Sequence, residues 1–154
     1  MFSEEQRNEI YELISQKQEG AYWDFKKEWY SKDKNGDMLH DIICMANNME
    51  DRDAYIIIGV DEENDYSIND LSNSENRKNT QKIVDFLRDK KFAGGIRPMV
   101  YVETLNDGRG QIDVIVIKNG YSTPYYLAEG CLGVNANNTP VKNSIYVDNG
   151  DIFS

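Results

Sequence analysis

Three carboxylates in the first part of the chain have the residue type and the context of ligands for a divalent metal ion. Glu19 and Asp24 lie close together in the sequence, and Asp61 directly follows the apolar run 54–60. An acid at the end of an apolar strand is costly to desolvate, so it needs a cation, a hydrogen-bond network or solvent. Ligands that are all oxygen atoms favour Mg²⁺ or Mn²⁺ over zinc. Held by these acids, such a metal would suit phosphodiester cleavage.

Lys26 is a basic residue two positions after Asp24. In a strand it would share a face with Asp24, because side chains alternate along a strand. As part of a metal site, Lys26 would offset the negative charge that develops in the transition state. The alternative interpretation is a surface ion pair between Asp24 and Lys26, which would contribute little to stability. The residues alone leave both interpretations open.

Other catalytic arrangements have less support in the sequence. His40 is the only histidine, and its position off the apolar stripe of its helix favours a solvent-facing residue over a general base. Neither Ser31 nor Cys44 has the neighbours of a nucleophilic site. The glycines at 94–95 and 108–110 do not match a phosphate-binding loop, so we interpret them as turn residues.

The charge distribution suits an enzyme that acts on a polyanion better than a protein that coats nucleic acid. The chain has 17 basic and 27 acidic side chains and a net charge of −10, whereas non-specific binding to phosphate depends on Lys and Arg. Segment 36–75 is strongly acidic, and basic clusters flank it. The candidate nucleic-acid-binding residues in those clusters are Lys26, Lys27, Arg88, Lys90 and Lys91. Ordinary solvated helix faces would explain any single one of these residues equally well.

Length and composition predict a single domain over residues 1–154 in the cytoplasm. No run of about 18 apolar residues is present, which excludes a membrane span, and the first residues lack the pattern of a secretory signal. Cys44 and Cys131 are far apart and lack metal-ligand spacing, which indicates reduced thiols.

The predicted elements that position these residues alternate between helices and strands. Helices are expected at 3–15, 37–49 and 75–92, strands at 21–28, 54–60, 99–105, 111–118, 123–127 and 145–147, and loops at 61–75 and 134–143. This order predicts an α/β (α+β) fold, a two-layer domain with helices packed on a mixed, mostly antiparallel sheet. Ser3 is expected to cap the first helix and Asn47 and Asn48 the second, and Gly59 to mark a close backbone approach.

Several of these segments together resemble the Schlafen AlbA-like domain family. The matching pieces are Glu19-x4-Asp24-Phe25-Lys26, Ala46-Asn47, Ile57-Ile58-Gly59-Val60-Asp61, Ile96-Arg97-Pro98, Val114-Ile115-Val116-Ile117 and Thr123-Pro124-Tyr125-Tyr126-Leu127. No piece is specific by itself, but their order and spacing together are, over roughly residues 10–147. The resemblance implies an α/β fold with some relation to the archaeal Alba chromatin proteins.

The resemblance also implies a nuclease core, since animal Schlafen members include ribonucleases that cleave tRNA and rRNA through three carboxylates and a divalent metal. Carried over by position, the three acids are Glu19, Asp24 and Asp61, with Glu62 as a neighbour that could substitute. Lys26 would then contact phosphate.

Two residues depart from the family pattern. The second acid is usually Glu in the family, and Asp24 is shorter by one methylene. Asp148 stands where family members commonly carry an Arg, which weakens the expectation of nucleic-acid binding.

The sequence is therefore compatible with three functions. The first is a metal-dependent endoribonuclease that uses Mg²⁺ or Mn²⁺ to cleave tRNA or other structured RNA, with DNA as the alternative partner. The second is a non-catalytic nucleic-acid-binding or regulatory module. The third is an acidic protein-binding inhibitor, such as a phage counter-defence protein, in which segment 36–75 imitates a polyanion. A homodimer formed through a free sheet edge is a further expectation that the residues do not decide.

Overall fold

The computed structural model describes residues 2–120 and 125, together with the backbone of residues 133–134 and 140–141. The helices in this part of the chain are α1 (Glu4–Ser15), α2 (Asn35–Ala46) and α3 (Thr80–Arg88), with short 3-10 helices at Lys32–Lys34, Glu62–Asn64 and Ala93–Gly95. The strands are β1 (Trp23–Lys26), β2 (Ala54–Ile58), β3 (Val60–Asp61), β4 (Ser67–Ile68), β5 (Val100–Asn106), β6 (Gln111–Ile117), β7 (Gly133–Val134) and β8 (Pro140–Val141). No helix among the described residues is long and apolar enough to cross a bilayer.

Among the described residues, the main sheet has four strands in the order β1-β2-β6-β5. β1 pairs with β2 in parallel, whereas β2 with β6 and β6 with β5 pair antiparallel. The helices and this mixed, mostly antiparallel sheet confirm the predicted α/β (α+β) class. Of these four strands, β1 and β5 lie at the edges, and β2 and β6 form the buried centre.

Both faces of the sheet are covered, which explains the continuous apolar run in β2. Ile56 and Ile58 belong to the core cluster that includes residues of α2 and α3. Tyr55 and Ile57 face the other way, into the cluster that includes residues of α1. Burial of each such isoleucine contributes roughly 1.5–3 kcal/mol. α2 and α3 thus pack on one face of the sheet and α1 on the other.

Polar side chains fix the helix ends, largely as predicted. The Ser3 Oγ accepts a hydrogen bond from the Gln6 N–H at 3.2 Å, and the Gln6 Oε1 accepts one from the Ser3 N–H at 2.8 Å, so a capping box starts α1. α3 begins later than predicted, because the Asn79 Oδ1 accepts from the Lys82 N–H at 2.9 Å and makes residue 79 the cap. The Asn48 Nδ2 donates to the last turn of α2 at the Met45 carbonyl, 3.0 Å away.

Asn47 does more than end α2. Its Oδ1 accepts a hydrogen bond from the Tyr125 N–H at 2.7 Å, and its Nδ2 donates to the Tyr125 carbonyl at 2.9 Å. One side-chain amide therefore satisfies both backbone groups of a buried residue, as a neighbouring strand would. The pair holds the chain after β6 against the end of α2.

Two predicted loops contain regular structure. Segment 61–75 includes a 3-10 helix and β4, and β4 pairs with β3. Segment 134–143 includes Val134 of β7 and the whole of β8, which pair antiparallel. Each strand contains a valine, Val134 or Val141, and valine favours extended backbone. The predicted strand 145–147 and, apart from Tyr125, the predicted strand 123–127 lie outside the described residues.

Gly59 separates β2 from β3 and makes the close approach predicted from the sequence. Its φ is +106°, and a Cβ at this position would lie 3.0 Å from the Ile112 Cγ2 and 3.1 Å from the Asn69 carbonyl oxygen. Its N–H donates to the Lys26 carbonyl at 2.7 Å, and its own carbonyl accepts from the Asn69 N–H at 2.8 Å. A side chain here would therefore meet both backbone strain and crowding.

Substitution of Gly59 should be more damaging than substitution of a glycine that has similar backbone strain and open surroundings. Gly108 is the matched control, because its φ is +100° and no atom lies within 4 Å of an added Cβ. We expect Gly108→Ala to lower the free energy of unfolding by roughly 1–2 kcal/mol, and Gly59→Ala to lower it by about 1–3 kcal/mol more, through overpacking. Urea denaturation of both variants measures the difference, and equal losses would contradict the close approach at Gly59.

Candidate functional site

β1 presents alternate side chains to the core and to the site. Trp23 and Phe25 are buried in the cluster on the α1 face, so Asp24 and Lys26 point away from that face. The Asp24 Oδ1 accepts a hydrogen bond from the Phe25 N–H at 3.0 Å. Because β1 is an edge strand, these two polar side chains need not enter the middle of the sheet.

A tight turn before β1 brings Glu19 to Asp24. The Trp23 Nε1 donates to the Gln18 carbonyl at 2.7 Å, and the Gly20 N–H donates to the Trp23 carbonyl at 3.2 Å. The Trp23 ring lies so close to Gly20 that a Cβ at residue 20 would overlap it. The turn therefore depends on glycine, and it returns the exposed Glu19 to the start of the strand.

Glu62, and not Asp61, completes the group of three acids. One carboxylate oxygen each of Glu19, Asp24 and Glu62 lies within 4.8 Å of the other two. We call these three residues the carboxylate trio. The Asp61 Oδ2 lies 3.7 Å from the Lys27 Nζ, so this carboxylate faces a lysine instead. The structure thus brings together two of the predicted acids and the neighbour named as a substitute for the third, while a metal-binding role for Asp61 stays a prediction.

Lys26 lies between two carboxylates. Its Nζ is 3.6 Å from the Asp24 Oδ2 and 3.4 Å from the Asp41 Oδ2, and Asp41 comes from α2. Burial lowers the pKa of Lys26, but the charges of Asp41 and Asp24 outweigh this effect and hold it above its ordinary value. Lys26 is therefore a firmly charged ammonium. The sequence pattern did not predict a role for Asp41. The one signal for it is its position in α2, the helix that follows β1.

The pKa of the Asp24 carboxyl is raised above its ordinary value. Burial is the main cause, Lys26 opposes it, and the charges of Asp41 and Glu62 add to the rise. The ionised form that a metal needs is thus costly at this position without further positive charge. The predicted ion pair with Lys26 is present, but it only partly offsets this cost.

Tyr30 anchors Asp41 from the segment that follows β1. Its hydroxyl donates to the Asp41 Oδ2 at 2.6 Å, and its ring centroid lies 5.8 Å from the Lys26 Nζ. Burial, followed by the charge of Asp41, raises the pKa of the Tyr30 hydroxyl, so this group remains a hydrogen-bond donor. Asp41 and Tyr30 together hold the Lys26 ammonium beside Asp24.

His40 and Cys44 do not form a nucleophilic pair. The His40 Nε2 lies 3.5 Å from the Cys44 Sγ, one turn along α2, and its Nδ1 lies 3.9 Å from the Asp41 Oδ1. Burial, with a further contribution from Asp41, raises the pKa of the Cys44 thiol to about 11. The thiol is thus protonated near neutral pH and is not a ready nucleophile.

A cleft opens beside the trio between the end of β1 and the start of α2. It has a volume of about 390 Å³, and we call it the β1 cleft. It is lined by Lys26, Lys27, Glu28, Trp29, Tyr30, Ser31, Lys34, Asp37, His40, Asp41 and Asn76. A second cavity of about 300 Å³ contains Asp61 and Glu62 and shares Lys26 and Lys27 with the cleft. The two lysines thus lie where the acidic site and the cleft meet.

The other predicted nucleic-acid-binding residues lie at the far end of α3. The Arg88 Nη1 is 3.5 Å from the Asp85 Oδ1, and the Lys90 Nζ is 4.6 Å from the Phe86 ring centroid. Lys91 follows and is exposed. Only Lys26 and Lys27 of the predicted set line the β1 cleft, and the binding role of all five stays a prediction.

A divalent cation fits the carboxylate trio. The trio offers hard carboxylate oxygens, from the exposed Glu19 and Glu62 and from the largely buried Asp24. Such oxygens suit Mg²⁺ or Mn²⁺. A cation would also offset the burial and the nearby negative charges that raise the pKa of Asp24.

Asp24→Asn should raise the free energy of unfolding at pH 7 in the presence of EDTA, because it removes a poorly solvated charge. A raised carboxyl pKa means that the folded protein binds a proton more readily than the unfolded chain. The loss of folding stability caused by the Asp24 charge is therefore absent below the pKa of the unfolded chain, near 3.8, and is complete above the pKa of the folded protein. Urea denaturation of the variant and the wild type at pH 7 and pH 4 tests this expectation.

The stability difference between the two proteins should be present at pH 7 and shrink at pH 4. Glu63→Gln is the control, because it removes one negative charge from an exposed neighbour of Glu62. A variant that is less stable than the wild type at pH 7 would show that the Asp24 charge is well accommodated.

Comparison with known proteins assigns the chain to a family. The family model described as "Schlafen, AlbA_2" matches residues 19–151, so the match begins at Glu19 and includes every acid considered above. No curated protein and no solved structure matches the chain. The resemblance seen in the sequence is thus confirmed. Because the match covers most of the chain, the protein belongs to the Schlafen AlbA_2 family of nucleic-acid-related domains.

Proposed function

We propose that this domain is a metal-dependent endoribonuclease of the Schlafen-like type that cleaves tRNA or other structured RNA. The observation that carries the proposal is the convergence of Glu19, Asp24 and Glu62, whose carboxylate oxygens lie within 4.8 Å of one another. Membership of a nucleic-acid-related family supports the substrate class. The shared border of the acidic site and the β1 cleft supports a substrate that extends beyond the trio.

Each residue of the site has a defined part in the proposed reaction. The carboxylate trio would hold Mg²⁺ or Mn²⁺, with Asp61 as the alternative third acid. When bound, the metal supplies Lewis-acid activation of the phosphoryl group and of a water molecule. Lys26 would place its ammonium beside the scissile phosphate and offset charge that develops there. Asp41 and Tyr30 are positioning residues that fix this ammonium.

Cleavage of purified tRNA tests the proposal directly. The wild type is incubated with tRNA in Mn²⁺, Mg²⁺ or EDTA, beside Glu19→Gln, Asp24→Asn and Glu62→Gln, and the products are separated on a gel. We expect discrete fragments that require metal and an initial rate that falls by about 100-fold or more in each variant, since even outer-shell metal partners are worth 10–100-fold. Glu63→Gln is the matched control and should cleave like the wild type.

The variant Asp61→Asn decides which acid is the third ligand. If Glu62 holds the metal, Asp61→Asn should retain most of the activity that Glu62→Gln loses. If Asp61→Asn loses the activity and Glu62→Gln keeps it, Asp61, the acid carried over from the family, is the third ligand. Intact RNA in every lane would overturn the nuclease and favour a binding module, and the absence of any RNA affinity would favour the acidic protein-binding inhibitor.

A further inference from the structure

A separate cavity with a basic lining lies between the start of α3 and β5. Its volume is about 610 Å³, and we call it the basic cavity. It is lined by Arg77, Lys78, Asn79, Thr80, Gln81, Lys82, Val102 and Thr104. Among the described residues, this lining has three basic side chains and no acid, although the chain as a whole carries a net charge of −10. The β1 cleft and the cavity beside Glu62, by contrast, both contain carboxylates.

Arg77 is already neutralised. Its Nε donates to the Asp113 Oδ2 at 2.8 Å and its Nη2 to the Asp113 Oδ1 at 3.0 Å, while its Nη1 donates to the Gln111 Oε1 at 2.7 Å. This guanidinium forms one wall of the cavity but has little capacity left for a ligand. The positive charge that the cavity offers therefore comes from Lys78 and Lys82.

Lys78 and Lys82 differ from Arg77 in that no described acid pairs with them. Within the part of the chain that the structure describes, neither ammonium has a carboxylate at ion-pair distance. The Lys78 Nζ donates to the carbonyls of Tyr30 at 2.9 Å and Asn76 at 3.3 Å, which leaves its third hydrogen for another acceptor. Burial, and then the charge of Lys82, lowers the pKa of Lys78. An anion between the two ammonium groups would relieve this repulsion.

Tyr30 connects the basic cavity to the β1 cleft. Its carbonyl accepts the hydrogen bond from Lys78, and its hydroxyl donates to Asp41, which pairs with Lys26. A single tyrosine thus lies between the ammonium beside the carboxylate trio and the ammonium of the basic cavity. A ligand that carries several phosphates in series can contact both places, whereas a single phosphate ion can contact only one.

We propose that the basic cavity binds phosphate groups of an RNA strand that also occupies the β1 cleft beside the carboxylate trio, with Lys78 and Lys82 as the contacts. The inference rests on the RNA substrate of the proposed function but not on cleavage. It places the RNA across residues 26–34 and 76–82, along the start of α3, rather than at the far end of α3 where Arg88, Lys90 and Lys91 lie.

RNA binding without cleavage tests this inference. Fluorescently labelled tRNA is titrated in EDTA, by anisotropy, over a range of KCl concentrations, with the wild type, Lys82→Ala and Lys78→Ala/Lys82→Ala. Each lost phosphate contact should lower the slope of log K against log salt by roughly 0.7–0.9. We expect a smaller slope and a weaker affinity for Lys82→Ala, and about twice that change in slope for the double variant.

Matched variants keep the result interpretable. Arg7→Ala removes one positive charge from exposed surface of α1, on the opposite face of the sheet, and should leave the slope unchanged. Lys82 is exposed and its ammonium has no described partner, so Lys82→Ala should keep the wild-type melting temperature even if loss of the Lys78 hydrogen bonds disturbs the double variant.

The outcomes separate this inference from the nuclease. Wild-type affinity and slope in Lys82→Ala and the double variant would overturn it, as would the absence of RNA binding by the wild type. If inorganic phosphate raises the melting temperature of the wild type but not of Lys82→Ala, while RNA binding is the same in both, the ligand is a small phosphate and not RNA. A reduced slope in the lysine variants of a protein that cleaves no RNA would support the binding site and overturn the nuclease alone.

Discussion

The buried charge of Asp113 is the constraint on which the two candidate surfaces depend. This side chain is 1% exposed in the central strand β6, and its oxygens accept hydrogen bonds from Arg77, Trp29 and Thr104. A buried charge that loses its partner costs roughly 3–5 kcal/mol, so the chain must bring both Arg77 and Trp29 to this point of the sheet. That requirement fixes the segment after β1 and the segment before α3, which form the walls of the β1 cleft and the basic cavity.

The charges around Lys26 are arranged in a way that lowers the stability of the fold. Asp24 and Asp41 both face Lys26, and one ammonium does not fully compensate two acids and the nearby Glu62. Stability and proposed function therefore oppose each other at Asp24, where the charge that would bind a cation disfavours folding without one. The hydrogen bond from Trp29 to Asp113 ties the segment that follows β1 to the centre of the sheet.

Local patterns in the sequence predicted the Ser3 cap of α1 and the buried strand β2, because these features depend on nearby residues, but they did not predict the Asn79 cap of α3. The identity of the third acid depends on Gly59. Its positive φ interrupts the alternation of side chains, so the direction of Glu62 cannot be counted along the strand. Asp41 and Asp113 act through contacts between distant segments, and no local period records such contacts.

The parallel pairing of β1 and β2 has a consequence for the order in which the protein is made. α2 connects the two strands, so every member of the carboxylate trio belongs to the short stretch from Glu19 to Glu62. The basic cavity needs β5, and Asp113, which secures Arg77, is in β6. On the ribosome, where the N-terminal part of a chain emerges first, the acidic part of the surface is therefore complete in sequence before synthesis reaches Lys78 and Lys82.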